Sequence, residues 1–303
     1  MKVTAVIVTY NRLALLQECV NAIRAQTITP SAILIVNNDS TDGTSEWLEN
    51  QKDLLVIHQP NRGGAWGFYS GIKAAYKTNA DWFWIMDDDT IPETRALEEL
   101  LNAASQESKE EEFGFLSSKV LWTDGSLHLM NEPGIDNNFA GKHALKYYSD
   151  KGIRPVIYNS FVSVLIKRKA VQKAGLPIKE FFIWNDDVEY TQRIIKNGFI
   201  GAVVENSKVL HKTPVNYSSN IFEDSKQNLW KYRFGLRNEL YIRRHYKSYE
   251  SFIRNVFKGI FIVPLKVLGK RKTDRWAFIR MVWQSTWEAL RFNPSVEYIN
   301  DEK

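Results

Sequence analysis

The sequence predicts an α/β protein built on a mainly parallel sheet, and three observations support this. Four short apolar segments, at residues 3–8, 33–36, 54–57 and 82–86, have the composition of buried strands. Stretches long enough to hold a helix separate them, and strands spaced in this way form βαβ units. The chain has 303 residues, of which 44% are hydrophobic, and this suffices for a sizeable core.

The remaining elements are predicted from the same periodicities. Apolar residues at helical spacing predict helices at residues 14–25, 44–49, 65–76 and 92–104. A later helix is predicted at 188–197, and further strands at 113–121, 159–167, 200–204 and 209–211. Scattered Gly, Asn, Asp and Pro residues predict a long loop or an irregular insertion at 122–158.

The chain changes character after Pro214. Strand signals end there, and residues 226–246 and 249–292 are predicted to be helical, with Lys and Arg interleaved among Trp, Phe and Tyr. We therefore expect an α/β domain over residues 1–215 and a helical region over residues 216–303. Helices that are basic on one face and aromatic on the other lie in membrane interfaces. The alternative is that these aromatic residues pack against the first domain or against a second subunit of a homo-oligomer.

Composition and charge exclude several classes of protein. The single cysteine, Cys19, rules out an intrachain disulfide framework and indicates a reducing compartment. No stretch reaches the ~18 apolar residues of a spanning helix, and the N-terminal apolar run is too short for a signal peptide. The net charge is +5, but no nucleic-acid-binding module accompanies the basic region. We expect a cytoplasmic protein, peripheral at the inner face of the cell membrane, without a nucleic-acid partner.

The most informative segment is the strand at 82–86, which ends in three consecutive aspartates. Three adjacent carboxylates repel one another unless a cation neutralises them. Because side chains alternate along a strand, Asp87 and Asp89 are expected on one side and Asp88 on the other. Two oxygen ligands on one side suit Mg²⁺ or Mn²⁺, which also carry substrate phosphates. The alternative is a solvated acidic turn that caps the helix at 92–104.

Polar or glycine residues follow the first three strands, at the edge where open parallel sheets bind ligands. A tyrosine in the first turn can stack on a base, and asparagine or aspartate can pair with the polar edge of that base. Glycines after the third strand allow backbone amides to approach a phosphate at a helix N-terminus. Ordinary turn and capping chemistry is the alternative for each turn. The residues concerned are Thr9, Tyr10, Asn11, Arg12, Asn38, Asp39, Arg62, Gly63 and Gly64.

A second acidic segment precedes the helix predicted at 188–197. Asp186 as N-cap with Glu189 three residues later would form a capping box, and Glu189 is spaced to pair with Arg193. Asp187 is not used by these contacts and can act as a general base from the first helical position. Trp184 beside it offers an apolar platform for an acceptor.

A single histidine, His211, ends the extended segment at 209–211. A lone histidine after apolar residues is usually structural. Because a metal site is already predicted from the aspartates, His211 is also a candidate metal ligand.

Taken together, these segments resemble the inverting family 2 glycosyltransferases, which have the GT-A fold. The matching segments are residues 6–12, 36–44, 87–89 and 185–189, and they occur in the order and spacing of that family. The resemblance covers roughly residues 1–215. It implies a nucleotide-sugar donor whose pyrophosphate is held by Mn²⁺ or Mg²⁺.

The resemblance also implies a role for each candidate residue. Asp187 would be the catalytic base that deprotonates the acceptor hydroxyl, with Trp184 and Asp186 beside the acceptor. The metal ligands would be Asp87, Asp89 and His211. The nucleotide would be held by Thr9, Tyr10, Asn11, Asn38 and Asp39. The residues assigned beside the donor are Arg12, Arg62, Gly63, Gly64 and Asp88.

Two segments indicate the subfamily. Residues 61–68 and 184–190 are similar to bacterial galactofuranosyltransferases, and rhamnosyltransferases of surface polysaccharide assembly are close neighbours. We therefore favour UDP-galactofuranose over dTDP-rhamnose as donor, with a glycan or lipid-linked acceptor. Two other classes are alternatives: a nucleotidyltransferase, and a non-catalytic protein that binds sugar nucleotides.

Overall fold

The structure is a computed structural model that describes residues 1–107, 112–135 and 149–299. Its strands are β1 (Val3–Thr9), β2 (Ala32–Asn37), β3 (Leu54–His58), β4 (Trp82–Asp87), β5 (Thr90–Pro92), β6 (Phe113–Leu121), β7 (Gly134–Ile135), β8 (Ile153–Tyr158), β9 (Val164–Lys167) and β10 (Ile200–His211). Its helices are α1 (Leu13–Arg24), α2 (Thr44–Glu49), α3 (Gly64–Ala75), α4 (Ala96–Ala104), α5 (Arg168–Ala174), α6 (Asp186–Lys196), α7 (Leu229–Tyr246), α8 (Tyr249–Phe257), α9 (Val263–Lys270) and α10 (Arg275–Arg291). A π-helical turn, Lys258–Ile262, joins α8 to α9.

The described strands form one sheet in the order β3-β2-β1-β4-β9-β6-β10-β8-β7, and β5 pairs with β10. β1 is parallel to β2 and β4, β2 is parallel to β3, and β10 is parallel to β6. β9 is antiparallel to both of its neighbours, β4 and β6. The carboxyl ends of β1, β2, β4, β6 and β10 therefore meet at one edge. The predicted mainly parallel α/β sheet is confirmed.

Two apolar cores cover the two faces of this sheet. All seven residues of β1 are buried, as expected for a strand with helices on both sides. α1 and α4 cover one face with residues such as Leu16 and Leu100. α3, α5 and α6 cover the other with residues such as Ile72 and Val171. Cys19 is fully buried in the first core.

Two predicted boundaries were wrong because of strand pairing between distant segments. The helix predicted at 92–104 begins only at Ala96, since the preceding residues form β5 and pair with the end of β10. The strands predicted at 200–204 and 209–211 are parts of the single strand β10, whose pairing with β6 is irregular between them.

The middle of the chain also differs from the prediction. The strand predicted at 159–167 begins only at Val164, and α5, which follows it, was not predicted. The segment 122–158 was predicted to be a loop or an irregular insertion, but its described part contains β7 and β8. Residues 136–148 of that prediction lie outside the described residues.

The C-terminal part is helical, as predicted. α7 packs against α9 and α10 around a separate apolar core that includes Tyr232 and Phe278. The chain then returns to the α/β part, where the Leu176 N–H donates to the carbonyl of Glu297 at 2.8 Å and the Tyr69 hydroxyl donates to its carboxylate at 2.6 Å. Within the described ranges, no helix is long and apolar enough to cross a membrane.

The close approach of α3 to β1 depends on a glycine. A Cβ at Gly67 would lie 2.4 Å from Cγ1 of Val8. We expect Gly67→Ala to lower the free energy of unfolding by about 1–3 kcal/mol, because overpacking outweighs the ~1 kcal/mol that alanine gains in a helix. Gly269→Ala is the control, since a Cβ there meets nothing within 4 Å. Urea unfolding measures both; an unchanged midpoint for Gly67→Ala would contradict this account of the packing.

Candidate active site

The polar residues that follow the strands lie at one edge of the sheet. Thr9 ends β1, Asn37 ends β2 and Asp87 ends β4, and the three strands are paired in register. His211 ends β10 and is paired there with Thr90. Side chains that are far apart in the sequence therefore line one crevice at the carboxyl edge.

The three aspartates do not alternate as predicted. β4 ends at Asp87, and the next two residues form a turn before β5, so the period of a strand no longer applies to them. Asp88 accepts hydrogen bonds from Thr9 Oγ1 at 2.7 Å and from Arg12 Nη1 at 3.3 Å. Asp89 contacts the same nitrogen of Arg12. Asp88 and Asp89 thus share one cation, which corrects the expectation that Asp88 faces away from Asp89.

The acidic turn has more negative charge than its surroundings neutralise. Burial and the neighbouring carboxylates raise the pKa of Asp87 well above its usual range. Burial also raises the pKa of Asp88 to about 6, although Arg12 opposes the shift. Burial disfavours ionisation of Asp89 too, but His211 and Arg12 outweigh it and lower the pKa of Asp89. An additional cation would therefore be favourable beside this turn.

The imidazole of His211 is held in one orientation. Its Nδ1 lies 2.8 Å from Oδ1 of Asn131, whose Nδ2 donates to Ser160 Oγ at 2.9 Å. Its Nε2 lies 3.2 Å from Asp89 Oδ1. That oxygen is buried and has no hydrogen-bond partner among the described residues. An imidazole nitrogen beside a buried carboxylate oxygen provides two ligand atoms that one cation can share.

Sequence reasoning missed two residues of this centre. Asn131 precedes His211 by 80 residues, and His128 lies over the His211 ring with 4.5 Å between the ring centroids. No local pattern around either residue indicated this contact. In the described part of the chain, no three His, Cys, Asp or Glu side chains already converge as a metal cage.

The turns after β1 and β2 are bonded to each other. Asn11 Oδ1 accepts a hydrogen bond from the Thr41 N–H at 2.7 Å, so this predicted nucleotide residue also has a structural contact. Asn38 is buried, and its Oδ1 accepts from Gln59 Nε2 at 2.8 Å. The predicted residues of these two turns that are exposed are Tyr10, Asn11, Arg12 and Asp39.

The glycines after β3 approach another loop. Gly63 has a left-handed φ of 92°, and a Cβ there would lie 2.2 Å from the carbonyl oxygen of Phe182. Gly64 has no such constraint, since a Cβ there meets nothing within 4 Å. The guanidinium of Arg62 lies over the ring of Trp66 at 4.7 Å. The close approach to Phe182 therefore explains why position 63 is a glycine, and no bound phosphate is needed for that explanation.

The capping box predicted before α6 is absent. Asn185, not Asp186, is the N-cap, and its left-handed conformation makes no side-chain cap. Asp186 and Asp187 are the first two helical residues, so Asp187 is one position later than expected. Glu189 is fully buried and pairs with Arg193 at 2.9 and 3.0 Å, as predicted from their spacing. Since Glu189 is committed to this pair, it does not cap the helix.

The segment before Asp187 has an unusual backbone. Phe182, Trp184 and Asn185 all have left-handed φ values, of 68°, 61° and 66°. Such conformations cost of order 1–3 kcal/mol each and persist only when their surroundings impose them. Asn238 of α7 is fully buried, and its Nδ2 donates hydrogen bonds of 2.9, 3.1 and 2.8 Å to the carbonyls of Phe181, Ile183 and Trp184.

A second contact joins α7 to this segment: Asn185 Nδ2 donates to the carbonyl of Gly235 at 2.9 Å. Asn238 was also missed from the sequence. α7 also contains Lys, Arg and Glu residues, so a polar amide within it gave no signal that Asn238 is buried.

Aromatic side chains surround the start of α6. The Trp184 ring packs edge-to-face on Tyr232 with 5.1 Å between the centroids, so Trp184 is half-buried against the C-terminal helices. Phe182 stacks on Phe234 at 4.6 Å, and Trp230 lies against both rings with its own side chain exposed. These rings form an apolar cluster around the segment that leads into Asp187.

Of the two aspartates of α6, Asp186 is buried and Asp187 is half-buried beside it. Burial raises the pKa of Asp186, and the charge of Asp187 raises it further. Burial likewise raises the pKa of Asp187, against hydrogen bonds from backbone amides, including one of 2.7 Å from the Val188 N–H. Asp186 also contributes to the raised pKa of Asp87, so the two acidic segments lie within electrostatic range of each other.

The chain is similar to known proteins in sequence and in fold. Residues 4–114 match the family described as Glycosyl transferase family 2. The chain is 28% identical over 216 residues to galactofuranosyltransferase GlfT1 of Mycolicibacterium smegmatis. This match covers 69% of this chain and 70% of the relative. It is 29% identical over 223 residues to the GlfT1 of Mycobacterium tuberculosis, which covers 69% of each protein.

The fold is also similar to that of GalNAc-T7, whose crystal structure contains UDP, GalNAc and Mn²⁺. The TM-score is 0.59 at 13% sequence identity, and the match covers 94% of this chain. It covers 54% of GalNAc-T7, so this chain spans about half the length of that protein. The similarity shows a GT-A-type fold. Residues 4–114 thus match the glycosyltransferase family 2 model, the chain has a GT-A-type fold, and the protein is a glycosyltransferase.

Proposed function

We propose that the protein transfers galactofuranose from UDP-galactofuranose to a hydroxyl of a glycan or lipid-linked acceptor, with inversion at the anomeric carbon. The observation that carries this proposal is that the acidic turn 87–89, at the end of β4, and the acidic start of α6, 186–187, lie within electrostatic range of each other. The first suits a cation with a nucleoside diphosphate, and the second supplies a base. Similarity to two proteins named galactofuranosyltransferase supports this donor over dTDP-rhamnose.

Asp187 is the proposed catalytic base. Its carboxylate takes the proton of the acceptor hydroxyl while that oxygen attacks the anomeric carbon from the face opposite the nucleotide. The new carbon–oxygen bond forms as the bond to the diphosphate breaks, and the electron pair leaves on the diphosphate oxygen. A raised pKa makes Asp187 a stronger base than an exposed aspartate.

Asp87, Asp89 and His211 are the proposed holders of a divalent cation. The buried, unpartnered Oδ1 of Asp89 and the fixed Nε2 of His211 fit such an ion, and carboxylate with imidazole suits Mn²⁺ or Mg²⁺. When bound, the ion offsets the charge that develops on the departing diphosphate. Asn131 would keep the His211 ring oriented.

The other sequence-based assignments complete this proposal. Residues 1–215 form the catalytic domain, and the helical region 216–303 lies toward the inner face of the cell membrane, where lipid-linked acceptors are found. Trp184 and Asp186 contact the acceptor. The residues on the donor are Thr9, Tyr10, Asn11, Arg12, Asn38, Asp39, Arg62, Gly63, Gly64 and Asp88.

The donor assignment is tested by thermal unfolding with UDP, dTDP, GDP or CDP, each with and without Mn²⁺. We expect UDP with Mn²⁺ to raise the midpoint selectively, since a ligand at 100 times its Kd stabilises the folded state by about 2.7 kcal/mol. His211→Ala is expected to abolish the Mn²⁺-dependent part of the shift. His245→Ala is the control, because His245 stacks on Tyr241 in α7, away from the acidic turn. Selective stabilisation by dTDP would favour rhamnose as donor, and no shift with any nucleotide would refute the donor site.

The base assignment is tested by Asp187→Asn. We expect transfer to fall about 10²–10⁴-fold while UDP affinity stays within twofold, because only proton removal is lost. In the wild type, transfer should decline as the pH falls, and at a higher pH than an ordinary aspartate would give, because the Asp186–Asp187 pair takes up protons more readily. Asp53→Asn, an exposed carboxylate paired with Arg24, is the control. Equal loss of UDP binding and transfer would indicate a structural role for Asp187.

The support from α7 is tested by Asn238→Ala. This substitution removes the hydrogen-bond donor of three carbonyl groups, so the free energy of unfolding should fall by about 1–3 kcal/mol. At temperatures well below unfolding, kcat should fall while UDP affinity is kept, because the displaced group is the base and not the donor site. Asn255→Ala in α8 is the control, since that amide bonds only within its own helix at Ser251. If Asn238→Ala destabilises the protein but leaves kcat unchanged, Asn238 contributes to folding and not to the position of the base.

A further inference from the structure

Two stretches of the C-terminal region present large apolar side chains to solvent. On α10, residues Trp276, Trp283 and Trp287 recur at helical spacing on the exposed side, and Phe278 and Val282 on the other side are buried. The exposed residues that run along α8, the π-helical turn and α9 are Ile253, Phe257, Phe261, Leu265 and Leu268. Single exposed apolar residues are ordinary, but two aligned rows indicate an interaction surface.

A hydrogen bond joins the two rows. Pro264 has no N–H, so it cannot donate to the carbonyl of Ile260 four residues earlier, and that carbonyl instead accepts from Trp283 Nε1 at 2.9 Å. The Phe257 and Phe261 rings lie 4.8 Å apart beside this contact. The two rows therefore form one continuous surface, which we name the interfacial face.

Exposed cations lie among these apolar residues. In the described ranges, none of Arg254, Lys258, Lys266 and Arg280 has a carboxylate within 4.0 Å. Residues 249–291 contain nine Lys and Arg but three Asp and Glu, a net charge of +6, whereas the whole chain carries +5. The excess positive charge of the protein is thus concentrated on the helices that bear the interfacial face.

We propose that the interfacial face docks on an anionic lipid bilayer, with α8, α9 and α10 in the plane of the surface. Aromatic and aliphatic side chains enter the boundary between headgroups and acyl chains, and Lys and Arg reach the lipid phosphates. Charge favours this occupant over a second copy, because two such faces would oppose +6 with +6. The inference deepens the proposed function, since it gives the lipid-linked acceptor a surface on which to meet the enzyme.

The face is coupled to the candidate active site through α7. Arg233 of α7 donates to the carboxylate of Glu288 on α10 at 3.0 and 3.1 Å. The same helix carries Asn238, which holds the segment before Asp187. Docking of α10 therefore fixes the direction in which the crevice faces relative to the bilayer.

Vesicle flotation with the full chain, without donor or acceptor, tests the proposal. We expect binding to phosphatidylcholine vesicles that contain phosphatidylglycerol, weaker binding in high salt, and much weaker binding to phosphatidylcholine alone. Lys258→Glu/Lys266→Glu/Arg280→Glu should weaken binding about 100-fold, since each basic residue near the surface contributes roughly fivefold. Leu265→Glu/Trp287→Glu should also weaken it. These side chains are exposed, so the variants keep the core.

The control is Lys52→Glu/Leu55→Glu, a matched charge and apolar change on exposed residues at the β3 edge, which should bind vesicles like the wild type. Absence of wild-type binding to anionic vesicles, or equal binding by the face variants, would overturn the proposal. A dimer in sedimentation that Leu265→Glu/Trp287→Glu dissolves would assign the face to a second copy instead. UDP-dependent thermal shifts in the same variants report the donor site separately, so failure of docking and failure of the transferase assignment are distinguishable.

Discussion

The side-chain amide of Asn238 holds the carbonyl groups that lead into Asp187, and the two parts of the molecule meet at this contact. Three non-glycine residues in that segment are left-handed, a conformation with no local support in the sequence. The hydrogen bonds from α7 stabilise the left-handed backbone of this segment. The α/β part therefore does not complete the loop before Asp187 by itself, and the helical region contributes to the arrangement of this loop.

The second constraint is electrostatic. Arg12 lies between Asp88 and Asp89, and the neighbouring Asp87 and Asp186 add negative charge. Burial makes this concentration costly, which is why three of these carboxyl groups have raised pKa values. Folding has placed the carboxylates together against their mutual repulsion, and binding of a cation would relieve it. Such stored repulsion is typical of functional sites.

Elements whose cause is local were predictable from the sequence. β1 and β4 were found because strands buried on both faces are continuous apolar runs, and the Glu189–Arg193 pair because its spacing alone brings the groups together. The failures have distant causes. β5 exists because it pairs with β10, and the capping box failed because contacts from α7 set the backbone of Asn185. Asn131 was missed because 80 residues separate it from His211.

The tail that ends the described chain has a consequence for the acceptor. Glu297 bonds to Leu176, Tyr69 and Lys73, so the helical region is fastened to the α/β part behind α10 as well as at α7. A region held by two separate contacts does not rotate freely relative to the α/β part. On a bilayer, the crevice would then stand at a constant height above the lipid. The saccharide between the lipid and the acceptor hydroxyl would have to match that height. The protein would therefore select acceptors by the length of their saccharide.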